Sequence, residues 1–349
     1  MTDAPFDAII VGQGLAGTTL AWHLLAAGQR ILVIDACEAV TSSKIAAGLI
    51  TPITGQRMVL SWRCDDFLSA ARKFYASVEK QTARKLLHDR IALRLFKSDD
   101  ERENWSKRCE QPDYQAYLLN SQPCPLLDPA LGDAGGGGFA MQAAQLDVAA
   151  YLDASRAVLP YQPMTLDWHT DVTFSADGAS VQGHRTRLVI SCEGYAAAGN
   201  RYFSPVPFIA AKGDILTVRF HRPVPPHCLH RGIWVAPATE PDVFWVGSTY
   251  DWENLDQVPS TTARSEIEGK LKAFFHVPYT VLDHRAAVRP IISQSKALIG
   301  RHPELRQLAY FNGLGSKGSL HAPWYAQCLT QHLVHQTPLP GAVDVQQHF

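Results

Sequence analysis

No stretch of the 349 residues reaches the roughly 18 consecutive apolar residues that a membrane-crossing helix needs. A secretory start is missing too. Met1 to Phe6 carries Asp3 and no basic residue, and the apolar run behind it is short. We therefore expect a cytoplasmic protein with no transmembrane segment. Charge of one sign is also absent: 32 Lys and Arg face 33 Asp and Glu, a formal net charge of −1. Chains that grip nucleic acid usually carry a basic excess, so the expected partner is a small uncharged or zwitterionic molecule. Cysteine is sparse and unpaired in sequence. The 7 residues, at 37, 64, 109, 124, 192, 228 and 328, form no C-x-x-C, which argues against a zinc site or a thioredoxin-like motif. His332 and His335 stand three residues apart with no third ligand in view, so they read as a polar helix face and no metal is expected. Internal repeats are lacking as well.

What is present is a nucleotide-binding pattern at the start of a chain long enough for two domains. Residues 7–11 are a short apolar run, followed by Gly12-Gln13-Gly14-Leu15-Ala16-Gly17. An apolar-periodic stretch from Leu15 to Ala27 stops at Gly28, and a second run, Arg30 to Ile34, closes on Asp35. This spells strand, tight turn, helix, strand. Glycine at 12, 14 and 17 permits the turn, close approach of backbone to a pyrophosphate, and close packing of helix on strand. The helix start then directs free N–H groups and its positive end at the phosphates. Asp35, near the expected offset of about 20 residues, is placed to accept hydrogen bonds from a ribose.

Further along, residues 66–90 read as an amphipathic helix carrying Phe67, Leu68, Ala71, Phe74, Tyr75 and Val78. Residues 97–139 turn polar and end in the glycine run 135–138, which reads as a flexible surface loop. Alternation returns over 170–190 (Val172, Phe174, Val181), and 205–250 is rich in strand formers broken by the proline cluster 223–226. Helical character marks 260–275 and His321 to Val334.

The nucleotide unit alone does not separate NAD from FAD; other segments do so by resemblance. Ser42-Ser43-Lys44-Ile45-Ala46-Ala47-Gly48-Leu49-Ile50-Thr51-Pro52 resembles the second flavin-contacting segment of D-amino acid oxidases and glycine oxidases. Leu188 to Gly194 is similar to the family's later strand on the adenine side, departing from its small-residue ending at Cys192-Glu193-Gly194. Ala287-Val288-Arg289-Pro290, with Ile299-Gly300 after it, resembles the family's Arg-Pro segment. Phe311-Asn312-Gly313-Leu314-Gly315-Ser316-Lys317-Gly318 resembles the loop that leads into the last helix beside the flavin ring. These blocks occur in family order from residue 7 to residue 334.

The resemblance implies an α/β fold, with a Rossmann-like FAD-binding domain of GR2 type and a second α+β substrate domain on a mostly antiparallel sheet. The expected division is 1–75, 140–205 and 281–349 for FAD, and 76–139 and 206–280 for substrate. It implies FAD contacts at Gly12, Gly14, Leu15, Ala16, Gly17, Asp35, Ala36, Ser42, Ser43, Ala47, Gly48, Leu49, Val172, Cys192 and Gly194, and along Gly313, Leu314, Gly315, Ser316, Lys317 and Gly318. No residue compels a covalent link, so non-covalent FAD is expected.

The implied reaction is oxidation of the C–N bond of a small amino acid or amine by hydride transfer to the flavin, with O2 or another acceptor taking the electrons. Arg289 matches the family's carboxylate-binding arginine, a task that suits a planar guanidinium; Arg285 is the weaker alternative. Lys317 could add positive charge beside the ring, and Tyr250, closing Gly247-Ser248-Thr249-Tyr250, is a candidate lid or pocket residue. Trp234 stands in Ile233-Trp234-Val235-Ala236-Pro237, where D-amino acid oxidases carry a tyrosine, and His230 replaces a second one. Two other classes compete. Loop 311–318 with Ala322-Pro323 also resembles the oxidase half of an enzyme acting on a carboxymethylamino group of tRNA wobble uridine. A non-catalytic flavin-binding protein is the third reading.

Overall fold

The structure is a computed structural model that describes residues 5–55, 57–119, 137–292 and 296–349. The chain opens with β1 (Ala8–Val11), α1 (Leu15–Ala26) and β2 (Ile31–Asp35). Short β3 (Leu49–Ile50), β4 (Ile53–Thr54) and β5 (Val59–Leu60) lead into α2 (Cys64–Thr82) and β6 (Leu87–Leu95). Next come α3 (Asp99–Ser106), α4 (Pro112–Gln115), β7 (Gly138–Leu146), α5 (Val148–Arg156) and β8 (Tyr161–Pro163). Three short strands follow, β9 (Val172–Ser175), β10 (Gly178–Val181) and β11 (His184–Thr186), and then β12 (Val189–Ser191). The second half runs β13 (Ala211–Phe220), β14 (Cys228–His230), β15 (Trp234–Pro237), β16 (Val243–Gly247), α6 (Thr261–Lys272) and β17 (Tyr279–Arg289). It closes with β18 (Leu298–Arg301), β19 (Leu308–Asn312) and α7 (Gly318–His335).

Two sheets organise these elements. The first has the order β18-β19-β12-β1-β2-β8, parallel throughout except for β18 at its edge. All four residues of β1 are buried, as a central strand covered on both faces requires. One face carries α1, α2 and α7 through Leu20, Leu24, Phe74, Leu320 and Leu329. The other carries Trp168, Val172, Val181 and Phe203. Each such side chain contributes about 1.5–3 kcal/mol when taken out of water. The helix stop read at Gly28 is real: its φ of 76° is open to glycine at little cost.

The second sheet, β17-β13-β16-β15-β14-β6-β7-β3, is antiparallel apart from the β14–β6 pair. Strand alternation splits its side chains cleanly. Leu216, Val235, Phe244 and Val246 pack on one face with Ile267 and Leu271 of α6. The opposite face holds Ala92, Phe96, Phe139 and Met141 against Trp105, Tyr114, Ile53 and Met58. Along one row of that face, Ile215, Gly247, Trp234, His230, Arg94 and Phe139 stand directly opposite one another on successive strands. This two-sheet α/β architecture is the one the sequence implied.

The segment arriving from the first sheet is tied to the edge of the second. β3 pairs with β7 at the edge of the second sheet, with Leu49 opposite Gln145. The buried Gln145 amide donates to Ala47 O at 3.1 Å and Pro237 O at 2.8 Å, and accepts from Arg90 Nε at 3.0 Å. A Cβ at Gly48 would lie 1.8 Å from Leu146 O, so only glycine lets these backbones meet.

Three local readings change. The helix expected over 66–90 ends at Thr82, because Ala83 turns left-handed and Glu79 captures the N–H groups of Leu86 and Leu87, releasing the chain into β6. The polar segment from 97 contains helix α3, capped by Ser98. Of the glycine run read as a loop, 135 and 136 lie outside the described residues, whereas Gly138 begins β7. Its absent side chain lets β6 pass, since a Cβ there would sit 2.3 Å from Arg94 O. The division drawn at residue 140 falls within β7, a strand of the second sheet.

Candidate active site

The carboxyl ends of β1, β2 and β12 meet at the glycine turn. Gly12 has φ 102°, and a Cβ on it would lie 2.5 Å from Cys192 O. A Cβ on Gly17 would lie 1.9 Å from Gly12 O. Both glycines therefore serve backbone packing, with Cys192 as the wall behind them. Gly14 caps α1 without any side-chain hydrogen bond, and the first turn holds no acidic residue, so the positive end of the helix is left uncompensated. The Leu15 N–H donates to Ser43 Oγ at 3.1 Å, which brings the 42–49 segment onto the turn beside Leu15 and Ala16.

Asp35 ends β2 with both oxygens engaged: Gln13 N–H donates to Oδ2 and Cys37 N–H to Oδ1, each at 2.8 Å. Each oxygen keeps a lone pair for a further donor. Ala36 beside it is exposed and Ser42 half-buried. The side chain of Val172 is packed in the core behind β1 and β2, leaving only its backbone available to a ligand. Gly194 O accepts from Asn312 Nδ2 at 2.7 Å, joining the end of β12 to the start of the 313–318 loop.

That loop opens α7, which likewise lacks a side-chain cap and acidic residues in its first turn. A Cβ on Gly318 would approach Leu15 Cδ1 to 2.8 Å, so the starts of α1 and α7 converge. Lys317 is largely buried and donates to Thr54 Oγ1 at 2.7 Å and Ser61 Oγ at 3.0 Å. Burial lowers its pKa, with the nearby Cys64 thiol opposing. His321, one turn on, is held neutral at about 3 by burial and by Lys317.

Arg289 lies at the end of β17, on the face of the second sheet that carries Trp234. Its Nη2 donates to Ser248 Oγ at 2.7 Å and Thr249 O at 3.1 Å. The Tyr250 ring covers the guanidinium at 4.3 Å, and the Tyr250 hydroxyl meets Ser316 Oγ at 3.1 Å. Gly213 provides the space: a Cβ there would fall 1.8 Å from Nη2. Burial lowers the Arg289 pKa, opposed by Tyr250 and Asp214. Nη1 is buried with no hydrogen-bond partner among the described residues. A buried guanidinium with neutral partners and a spare donor is arranged for an anion.

The structure thus brings Arg289, Tyr250 and Ser316 together and places Trp234 against Gly247 and Ile215. It does not bring Arg285, which is exposed and paired with Asp283. Gly213, Thr54 and Ser61 were not singled out from sequence, and Ser248 and Thr249 were seen only as part of a turn. Glu193, read as a departure from the family pattern, is a buried pin accepting from Ser191 Oγ at 2.6 Å, Trp168 Nε1 at 2.9 Å and Asn200 Nδ2 at 3.3 Å. Burial raises its pKa against those bonds. Among the described residues no group of three or more metal-binding side chains occurs, and no helix is long and apolar enough to cross a membrane.

The family model for FAD-dependent oxidoreductases (DAO) matches residues 7–332. The chain belongs to that family. Solved structures of similar fold include glycine oxidase from Geobacillus kaustophilus, with a TM-score of 0.80 at 18% identity, covering 99% of each chain. Iminodiacetate oxidase from Chelativorans sp. BNC1 gives 0.73 at 18% identity, over 97% of this chain and 98% of the other. A curated relative, the uncharacterized oxidoreductase YurR of Bacillus subtilis, is 41% identical over 54 residues, 16% of this chain and 14% of its own length. The glycine turn, the starts of α1 and α7 and Asp35 fit a flavin dinucleotide: glycine stands at the crowded positions 12 and 17, and neither helix carries an acid in its first turn.

Proposed function

We propose that this DAO-family chain oxidises the C–N bond of a small primary or secondary amino acid, giving an imine, with O2 as the acceptor and H2O2 as its product. The observation that carries the reading is Arg289, buried among neutral partners with Nη1 free. The guanidinium takes the substrate carboxylate through Nη1, since both hydrogens of Nη2 are engaged, and thereby fixes the carbon that carries the amine. Bound FAD supplies the acceptor for the hydride leaving that carbon.

The chain's own residues hold and polarise. Gly12, Gly14 and Gly17 let the turn approach the pyrophosphate, the free N–H groups at the start of α1 bind it, and Asp35 accepts from the adenosine ribose. The opening N–H groups of α7, with Lys317 nearby, stabilise negative charge that builds on the ring. No residue compels a covalent link, so FAD is expected to be held by these contacts and to be released by heat. Tyr250, seated on the guanidinium and bonded to Ser316, covers the site and excludes water from the ion pair.

The test combines cofactor and substrate. Purified protein should be yellow and release FAD on heating, and anaerobic mixing with an amino acid and amine panel should bleach it. Arg289→Lys should raise KM for the bleaching substrate by about 10-fold or more, and Arg289→Ala further. Colourless protein, or unchanged kcat/KM in Arg289→Ala, would sink the proposal.

A further inference from the structure

The row that crosses the second sheet holds, between Trp234 and Phe139, two polar groups that nothing above uses. His230 and Arg94 stand directly opposite each other on β14 and β6. His230 Nε2 and Arg94 Nε are both buried, and neither has a hydrogen-bond partner among the described residues. Two orphaned nitrogens on adjacent residues are costly, about 1–3 kcal/mol each, unless something polar meets them.

Their surroundings locate that missing group. His230 is opposite Trp234, and Leu93, Leu229 and Val235 occupy the other face, so His230 shares the face on which the Arg289 guanidinium rests. Burial, with Arg94 adding to it, holds the imidazole neutral at about 4. His230, Arg94, Trp234 and Arg289 are each half-buried as whole residues, while the unpartnered nitrogens themselves are covered. Three strand spacings, about 14 Å, separate His230 from Ile215, and Gly213 beneath the guanidinium lies two residues, about 6.5 Å, further along β13.

We propose that His230 Nε2 and Arg94 Nε form a subsite for a neutral hydroxyl or carboxamide on the tail of the amine substrate. The proposal rests on Arg289 holding the other end. Chemistry selects the class of group. Arg94 Nε only donates, and neutral His230 Nε2 accepts or donates with its tautomer. A hydroxyl or an amide accepts from the first and satisfies the second. A carboxylate suits the place less well, because Arg94 is already paired with Glu101 at 3.2 Å and both side chains are nearly buried. Trp234 supplies the apolar wall between the two ends.

The experiment uses the holoenzyme and N-substituted glycines. Tails bearing a terminal hydroxyl, from about two to about six carbons long, are compared with alkyl tails of matching size, sarcosine serving as reference. Flavin bleaching gives kcat/KM, and calorimetry gives binding without turnover. At one tail length the hydroxyl compound should exceed its alkyl match by about 10-fold or more, mostly in KM. His230→Phe should reduce that ratio to within about twofold with sarcosine unchanged, and His230→Gln should restore it.

Equal or better alkyl tails at every length, or a ratio that survives His230→Phe, overturns the subsite while bleaching by sarcosine leaves the amine reading in place. Tighter binding of hydroxyl tails without bleaching supports the subsite and removes the oxidase reading. Failure of every compound to bind or to bleach overturns both.

Discussion

Replacing Gly213 with alanine isolates the position of one guanidinium from the stability of the fold. The new methyl carbon would lie 1.8 Å from Arg289 Nη2, 2.3 Å from Cζ and 2.5 Å from Nη1. Ordinary contact begins near 3.5 Å, so the guanidinium must move by roughly 1.5–2 Å. That movement breaks the bonds from Nη2 to Ser248 Oγ and Thr249 O. The obstructed group is the far end of a flexible side chain, and Gly213 has ordinary strand backbone, so β13 has no need to deform. The loss of charge-assisted bonds, about 1.5–3 kcal/mol each, is partly offset by about 0.4–1 kcal/mol from a stiffer unfolded chain. The fold should therefore survive with a Tm a few degrees lower.

Function should not survive so well. A misplacement of about 1 Å at a positioning group costs on the order of 100-fold. Anaerobic stopped-flow bleaching should show kcat/KM reduced by about that factor, with FAD content per chain unchanged. A Gly213→Ala enzyme within about twofold of the parent, or one that loses FAD while keeping its fold, would refute the reasoning.

Gly17→Ala should behave in the opposite way. Its methyl would strike Gly12 O, a backbone atom with no freedom to swing aside, so FAD content measured by absorbance should fall sharply at matched protein concentration. The pH dependence of stability follows from the buried histidines. Burial depresses His23 to about 4, His230 to about 4 and His321 to about 3, below an unfolded value of 6.5. Between those limits the unfolded chain binds the extra protons, so their contribution is complete above pH 6.5 and is lost as pH falls towards 4. Urea midpoints measured from pH 7.5 to 5 should drop, and His230→Phe should shallow the slope; a flat profile would contradict the assignment.

What could be read from the sequence was what is local in sequence. The glycine turn and Asp35 announce themselves because strand, turn, helix and second strand are consecutive, and the structure places them as spacing demands. Family resemblance supplied Arg289, but not its setting. Gly213 lies 76 positions away from it, and only the pairing of β13 with β17 reveals that its missing side chain makes the room. The helix read through residue 90 fails for a related reason. Nothing in the apolar period shows that Glu79 will turn back and capture two N–H groups. Lys317 could be placed on the right loop, whereas its direction depends on the hairpin hydroxyls of Thr54 and Ser61.

The fully bonded amide of Gln145 has a mechanical meaning. Through Ala47 O it holds the segment that leads to the first sheet, and through Pro237 O the middle of the second, while β3 runs into the same seam. Pulling that segment off the edge of the second sheet would leave one N–H of a buried amide without its acceptor. On the far side of the guanidinium the Tyr250 ring, stacked with Trp252 at 5.8 Å, sits on a loop that is itself fastened, since Asp251 and Lys212 exchange backbone bonds of 2.8 and 3.0 Å. Seam and cover are thus both stitched to the second sheet.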